Sequence, residues 1–155
     1  MRTLPIGCAL LALGLTLGCS TLRIGDEEAG TLRPILRQIA FANAQGCADP
    51  AAAICQFDVR LVNKREPNAF LDRHARRIRI TTGMLARTQS QDELAFVIAH
   101  ELAHAELGHR RKFFGGQRAQ EAEADWRAAE LLHAAGFDPA AGIRLLARLG
   151  HSFGE

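Results

Sequence analysis

Several features that would mark particular classes of protein are missing from this chain of 155 residues. The formal net charge is only +2, and no basic run with interleaved aromatic residues occurs, so the sequence shows no nucleic-acid footprint. There are no repeats or low-complexity segments, and there is no tyrosine, so no phenol hydroxyl is available to a functional site. With 48% hydrophobic and 23% charged residues, the composition is that of one ordinary globular domain.

One stretch of the sequence points to a specific chemistry. Residues 96–105 are mostly apolar and contain His100-Glu101-Leu-Ala-His104. On a helix the two histidines lie one turn apart and about 40° apart around the axis, with Glu101 inside the same ~100° arc. Two neutral imidazoles at this spacing suit tetrahedral Zn²⁺, and the carboxylate can take a proton from water at the metal. The pattern predicts one zinc ion per chain with Glu101 as catalytic base; the alternative is a chance pattern with surface histidines.

The helix that carries this pattern has clear ends in the sequence. Ser90-Gln-Asp-Glu93 is a capping box, in which Ser90 caps the helix and Glu93 reaches back from the third position. Gly108 suits the left-handed residue that follows a helix. Apolar residues leave little of the helix surface polar, so we expect it to be largely buried, and buried His and Glu then need a metal or other partners.

A third ligand is expected from the next helix, which is predicted over residues 118–135 after a glycine turn. If the two helices are antiparallel, Glu121 lies opposite His104 and Asp125 lies opposite His100, on the face that apolar neighbours mark as inward. We predict that Glu121 is the third zinc ligand and that Asp125 holds the ring N–H of His100 and sets its tautomer. The alternative is that both are solvated acids on an exposed helix.

Two neighbouring residues are predicted to lie away from the metal. Glu123 is about 200° around its helix from Glu121 and should face solvent. His109 is about 180° around from His100 if the first helix continues, so we predict that it is not a ligand.

Two spaced motifs in this sequence resemble those of a known family. His100-Glu-Leu-Ala-His104 followed by Glu121-Ala-Glu-Ala-Asp125 resembles the HExxH and ExEAD motifs of the M48 peptidases, which are zinc-dependent gluzincins. The resemblance implies an α+β, zincin-like fold, with the active-site helix and an antiparallel partner helix packed on a small, mostly antiparallel β-sheet. It also implies that His100, His104 and Glu121 bind zinc and that Glu101 is the general base and acid.

The resemblance leaves one catalytic group unassigned. Many gluzincins stabilise the oxyanion with Tyr or His, and the family often carries a later HP-containing motif with a distal Arg. This chain has no tyrosine and lacks that motif before Glu155. His151, His133 and Arg144 are the oxyanion candidates, although His133 lies about 120° around its helix from Glu121 and suits a peripheral position.

The N-terminal segment resembles a bacterial lipoprotein signal. Arg2 precedes an apolar stretch that is too short to span a bilayer comfortably, so we interpret residues 1–18 as a cleaved signal peptide. Leu15-Thr-Leu-Gly-Cys19-Ser20 resembles a lipobox, which would place the lipid on Cys19 and make residues 19–30 a membrane tether. Ser20 resembles the sorting pattern of Gram-negative outer-membrane lipoproteins, so we expect a periplasmic protein anchored to the outer membrane. Plain secretion and an uncleaved anchor are the alternatives.

Cysteine usage agrees with an oxidising compartment. Cys8 leaves with the signal and Cys19 takes the lipid, which leaves Cys47 and Cys55. We predict that these two form a disulfide; the alternatives are two free buried thiols or a metal site of their own.

The remaining elements follow from hydrophobic periodicity and turn residues. We predict a helix over 31–43 with Pro34 in its first turn, strands over 56–63, 69–71 and 77–81, and a last helix from Asp138 as N-cap and Pro139 to Leu149. Arg77 and Arg79 would then guard an edge strand against aggregation, or flank an edge that an extended peptide substrate joins.

These features together predict a zinc metallopeptidase domain over residues 31–155. We expect an endopeptidase with polypeptide substrates, acting on unfolded or misassembled cell-envelope proteins, and this substrate class follows from the resemblance alone. The competing hypothesis is a non-catalytic, zinc-stabilised lipoprotein that binds envelope proteins. A third is a catalytic subunit whose missing donor comes from an unknown partner chain.

Overall fold

Helices flank three short strands in the computed structural model, which describes residues 24–43, 53–109 and 117–151. The helices are α1 (Ile24–Asn43), α2 (Thr82–Leu85), α3 (Gln91–Glu106), α4 (Gln117–Ala134) and α5 (Ala141–Leu149), and a turn of 3₁₀ helix spans Ala53–Gln56. The strands are β1 (Asp58–Val62), β2 (Ala69–Asp72) and β3 (Arg77–Thr81). This mixture of helices and a small sheet confirms the predicted α+β class.

The three strands form one sheet in the order β1-β3-β2. β1 runs parallel to β3 and β2 runs antiparallel to it, so the sheet is mixed and the prediction of a mostly antiparallel sheet was wrong. β3 is also the central strand, so Arg77 and Arg79 do not guard an edge. Ile78 is fully buried on one face of β3, while Arg79 on the other face pairs with Asp72 at 3.0 Å. Alternation along β3 identified its two faces correctly, but it carries no information about which strands lie beside it.

α3 lies at the centre of the fold. Its side chains are buried almost all round, as its apolar sequence predicts, and they pack against α1, α4, α5 and the sheet. The contact with α5 is close, because a Cβ on Gly142 would lie only 2.3 Å from the ring of Phe96. The element that carries the HExxH sequence is therefore held from several sides.

α1 begins at Ile24, seven residues before its predicted start, and Pro34 lies inside it rather than in its first turn. The prediction located the start from the apolar stripe, which begins only where the helix packs on the core. α1 therefore includes residues 24–30 of the predicted tether, whose role stays a prediction. α1 also secures the end of α4, because Asn43 donates from Nδ2 to the carbonyl of Leu131 at 3.0 Å.

The start of α3 is capped as predicted, with one difference in the partner of Glu93. The hydroxyl of Ser90 accepts from the Glu93 N–H at 3.2 Å, but the Glu93 carboxylate accepts from the N–H of Gln89, at 2.7 Å, rather than from Ser90. Glu93 is buried and also pairs with Arg148 of α5. This second contact links the two helices and could not be read from the local sequence.

α5 begins at Ala141, so Asp138 and Pro139 are not its N-cap and first residue. Asp138 instead caps the preceding turn, where its carboxylate accepts from the Ala140 N–H at 2.9 Å. Asp138 therefore accepts a backbone hydrogen bond as a capping residue does, but the helix starts two residues later than the capping rule suggests. Gly150 ends the helix with φ 79°, as predicted.

Several predictions fall outside the described residues. These are the signal peptide, the lipid site Cys19 and one partner of the predicted disulfide, Cys47, and all three stay predictions. Within the part of the chain that the structure describes, no helix has the length and apolar character needed to cross a membrane.

Candidate metal centre

Two histidines from α3 and a glutamate from α4 point toward one position. Nε2 of His100 lies 3.0 Å from Nε2 of His104, and the Glu121 carboxylate lies 3.3 Å and 3.4 Å from the same two nitrogens. Each of the three residues offers a ligand atom within 4.8 Å of the others. The structure thus brings together the three side chains that the sequence predicts as zinc ligands.

These separations fit a tetrahedral metal. Zinc bonds of about 2.0–2.2 Å at tetrahedral angles place ligand atoms about 3.3–3.5 Å apart. The distances from Glu121 to the two imidazoles match this range, and the distance between imidazoles is slightly shorter. The Glu121 side chain is 41% exposed, so one side of the triad is open to solvent, as a catalytic rather than a structural zinc site requires.

Asp125 lies behind the first histidine. Its Oδ1 is 3.0 Å from Nδ1 of His100, and its side chain is only 5% exposed. Burial by itself lowers the pKa of the His100 imidazole, but the carboxylates of Asp125 and Glu121 outweigh burial and raise that pKa to about 9. Hydrogen bonds from His100 and His104 lower the pKa of Glu121. The negative charge that holds a proton on His100 would equally hold a metal cation.

Glu101 is buried beside the triad. Burial raises the pKa of its carboxyl group, while the neighbouring His100 and His104 act in the opposite direction. Its carboxylate also accepts a hydrogen bond from the backbone N–H of Leu71, on the edge strand β2. The edge of the sheet therefore helps to orient the residue that the sequence predicts as the base.

A second histidine pair was missed by the sequence reasoning. Nδ1 of His104 lies 3.0 Å from Nδ1 of His109, and Nε2 of His109 lies 2.9 Å from the Glu123 carboxylate. The 180° estimate for His109 assumed a continuous helix, but Gly108, with φ 69°, turns the chain back toward the site. The sequence did contain a signal for this contact. A glycine at the end of a helix predicts that the chain reverses its direction there, and the residue after Gly108 is His109.

The prediction for Glu123 agrees with the structure, because its side chain is 63% exposed, as expected for a residue that faces solvent.

The three oxyanion candidates lie elsewhere. Arg144 pairs with Asp138 at 2.7 Å, near Asp92 at the start of α3 and thus about 12 Å along that helix from His100. His133 is exposed in the last turn of α4, about 18 Å along the helix from Glu121. His151 is exposed after the end of α5. Among the described contacts, none joins any of these residues to the triad.

An α+β fold with two helical histidines and a glutamate from the next helix around one metal position is the arrangement expected of a HExxH metallopeptidase. A sequence model of Peptidase family M48 matches residues 27–117, more than half of the chain. The chain therefore belongs to the M48 family of zinc metallopeptidases, as its motifs predicted. The match includes the HExxH helix and ends before Glu121, so the third ligand is assigned from geometry. Comparison with curated proteins gives no match.

Proposed function

We propose that this protein is a zinc-dependent endopeptidase that cleaves unfolded or misassembled proteins of the bacterial cell envelope. The observation that carries the proposal is the convergence of His100, His104 and Glu121 beside the buried carboxyl group of Glu101. Family membership supports peptide hydrolysis. The periplasmic, outer-membrane location is supported by the sequence around Cys19.

The roles of the residues follow from their positions. Zinc held by the triad would supply Lewis-acid activation of water and of the scissile carbonyl. Glu101 takes the proton from the attacking water and delivers it to the leaving amine. Burial raises the pKa of Glu101, which favours uptake of a proton from water. The Leu71 N–H fixes the direction in which the carboxylate faces.

The outer edge of β2 favours the binding of an extended substrate. Thr81 N–H donates to the Asn68 carbonyl at 2.9 Å. Along an antiparallel strand, the main-chain groups of successive residues point alternately toward the partner strand and away from it. The main-chain groups of Ala69 and Leu71 therefore point away from β3. This edge of β2 lies alongside α3. An unfolded segment that adds to it as a strand would pass Glu101, which favours unfolded chains over folded ones as substrates. The edge is β2, not the β3 edge considered from sequence.

The unassigned oxyanion donor is the observation that favours a second candidate function. Since the described contacts bring none of the three predicted donors to the triad, a partner chain that supplies one is a specific alternative. A zinc-stabilised lipoprotein that binds envelope proteins without cleaving them is the other. Both alternatives retain the metal site; in the first, catalysis needs the partner chain, and in the second, there is no catalysis.

The test compares zinc content and cleavage of an unfolded protein, such as casein, by the full chain in detergent micelles. We expect one zinc per chain and chelator-sensitive cleavage in the wild type. Glu101→Gln should keep its zinc and lose cleavage by about 10²–10⁴-fold, because the base is removed while the ligands stay. Glu130→Gln, an exposed acid on α4, is the control and should behave as wild type.

Residual cleavage by Glu101→Gln at the wild-type rate would remove Glu101 from the role of base. Zinc without cleavage in the wild type would favour binding without catalysis, or a missing partner chain. A wild-type chain that holds no zinc would overturn the proposal as a whole.

A further inference from the structure

Both nitrogens of the His104 ring are engaged. Nε2 faces the triad, 3.4 Å from the Glu121 carboxylate, and Nδ1 lies 3.0 Å from Nδ1 of His109. The side chain of His109 is 7% exposed, and its other nitrogen, Nε2, lies 2.9 Å from the Glu123 carboxylate. A buried imidazole thus stands between a predicted metal ligand and a carboxylate at the surface.

The chemistry of a metal ligand fixes every proton along this line. An imidazole that binds a metal through Nε2 must carry its proton on Nδ1, so His104 donates to His109. Nδ1 of His109 then accepts, and its proton sits on Nε2, where it donates to Glu123. With the proton of His104 on Nδ1 and that of His109 on Nε2, both rings are neutral, and the contacts from His104 to His109 and from His109 to Glu123 are both hydrogen bonds.

We propose that His109 and Glu123 are positioning residues for His104, forming a two-step relay that sets its orientation and its Nδ1–H tautomer. The inference rests on the proposed zinc site and assigns roles that the triad and Glu101 do not include. His100 receives the same support in one step, because Asp125 contacts its Nδ1 directly at 3.0 Å. Metal-binding histidines commonly donate their second N–H to a partner of this kind.

The backbone around His109 is itself fixed. Arg73, in the turn between β2 and β3, donates from Nη2 to the carbonyl oxygens of both His104 and His109. The guanidinium therefore joins the last turn of α3 to the residue that follows Gly108. This contact holds the chain reversal that brings the His109 ring under His104.

The first experiment measures zinc affinity by competition with a chromophoric chelator, using the full chain in micelles. His109→Ala should weaken zinc binding by about 10–100-fold, as loss of such supporting partners does in other metal sites. Glu123→Ala should weaken it by about two- to tenfold, because water can replace a largely exposed carboxylate. Glu123→Gln keeps an acceptor and should lose less. His74→Ala and Glu130→Ala remove an exposed imidazole and an exposed acid, and should leave the affinity unchanged.

The second experiment reads the tautomers directly from ¹⁵N–¹H NMR of the histidine rings in the zinc-loaded wild type. We expect the proton of His104 on Nδ1 and that of His109 on Nε2. Because this measurement uses the wild type, it decides the question even if His109→Ala fails to fold. A His104 ring without a proton on Nδ1 would overturn the relay, and so would equal zinc affinities of His109→Ala and His74→Ala. A wild type that binds no zinc would instead overturn the proposed function beneath it.

Discussion

Three acidic residues within one stretch of α4 have three different environments. Glu121 is half-exposed and faces both imidazoles, Asp125 is buried behind His100, and Glu123 is exposed and contacts His109. Helical geometry alone separated these environments in the sequence, because residues four apart share a face and a residue two apart does not. All three side chains are carboxylic acids, so their different exposure and neighbours decide what each one can do.

At this scale, Glu121→Ala tests the assignment of the third ligand. Removing a ligand atom should weaken zinc binding by more than about 100-fold, which exceeds the loss of a residue that only supports a ligand. Chelator competition on the full chain measures the change. Glu123→Ala is the matched comparison, since it removes an acid two residues away. Equal losses in the two variants would contradict the placement of Glu121 toward the metal.

The arrangement of the helices and strands depends on contacts between residues far apart in the sequence, which local sequence patterns do not predict. The periodicity of α3 and the capping residue Ser90 defined that helix from sequence, and the facing acids of α4 followed from its register. The parallel partner of β3 and the pairing of Glu93 with Arg148 join residues far apart in the chain. His109 was missed for a related reason, because its position depends on the direction the chain takes after Gly108.

The ion pair between α3 and α5 predicts a stability that depends on pH. Burial alone would raise the pKa of Glu93, but Arg148 and the Gln89 N–H outweigh it and hold that pKa below its usual value. A carboxylate with a lowered pKa stabilises the fold above its unfolded pKa of about 4.5, and this stabilisation is lost as pH falls through the folded value.

Glu93→Gln should therefore lower the free energy of unfolding at pH 7 by about 1–3 kcal/mol, a range reduced because the Arg148 side chain is 32% exposed. The difference from wild type should shrink as pH falls below about 4. Urea unfolding at both pH values measures it, with Glu130→Gln as an exposed control. A difference that stays constant with pH would show that packing, not charge, is responsible.

Two helical glycines predict opposite effects of the same substitution. Gly142→Ala brings a Cβ to 2.3 Å from the Phe96 ring, so the contact between α5 and α3 must open, at a cost of about 1–3 kcal/mol. Gly30→Ala meets no atom of the described residues within 4 Å and should stabilise α1 by about 0.5–1 kcal/mol through helix propensity. Urea unfolding of the two variants compares them. If both variants were more stable than the wild type, α5 would have to move away from Phe96 at no cost in the free energy of unfolding.

At the scale of the whole molecule, the lipid predicted on Cys19 would determine where the protein acts. If the prediction holds, Cys19→Ser should release the chain from membranes into the soluble fraction, because the apolar segment before it has too few residues to span a bilayer comfortably. Fractionation of cells that produce each form measures the distribution. Unchanged association with membranes would indicate an uncleaved anchor and remove lipidation from the account. Cys8→Ser is the control, since Cys8 is expected to leave with the signal.

The order of the strands in the sheet has a consequence for how the chain is made. β3 lies between β1 and β2, yet it is the last of the three to leave the ribosome. The turn from β2 to β3 spans only residues 73–76, so this hairpin can close as soon as it is synthesised. β1 has no strand to pair with until then, and its buried residue Val59 stays uncovered by the sheet while the next twenty or so residues are added. β1 is thus made well before the strand with which it pairs, while the other two strands can pair as soon as they are made.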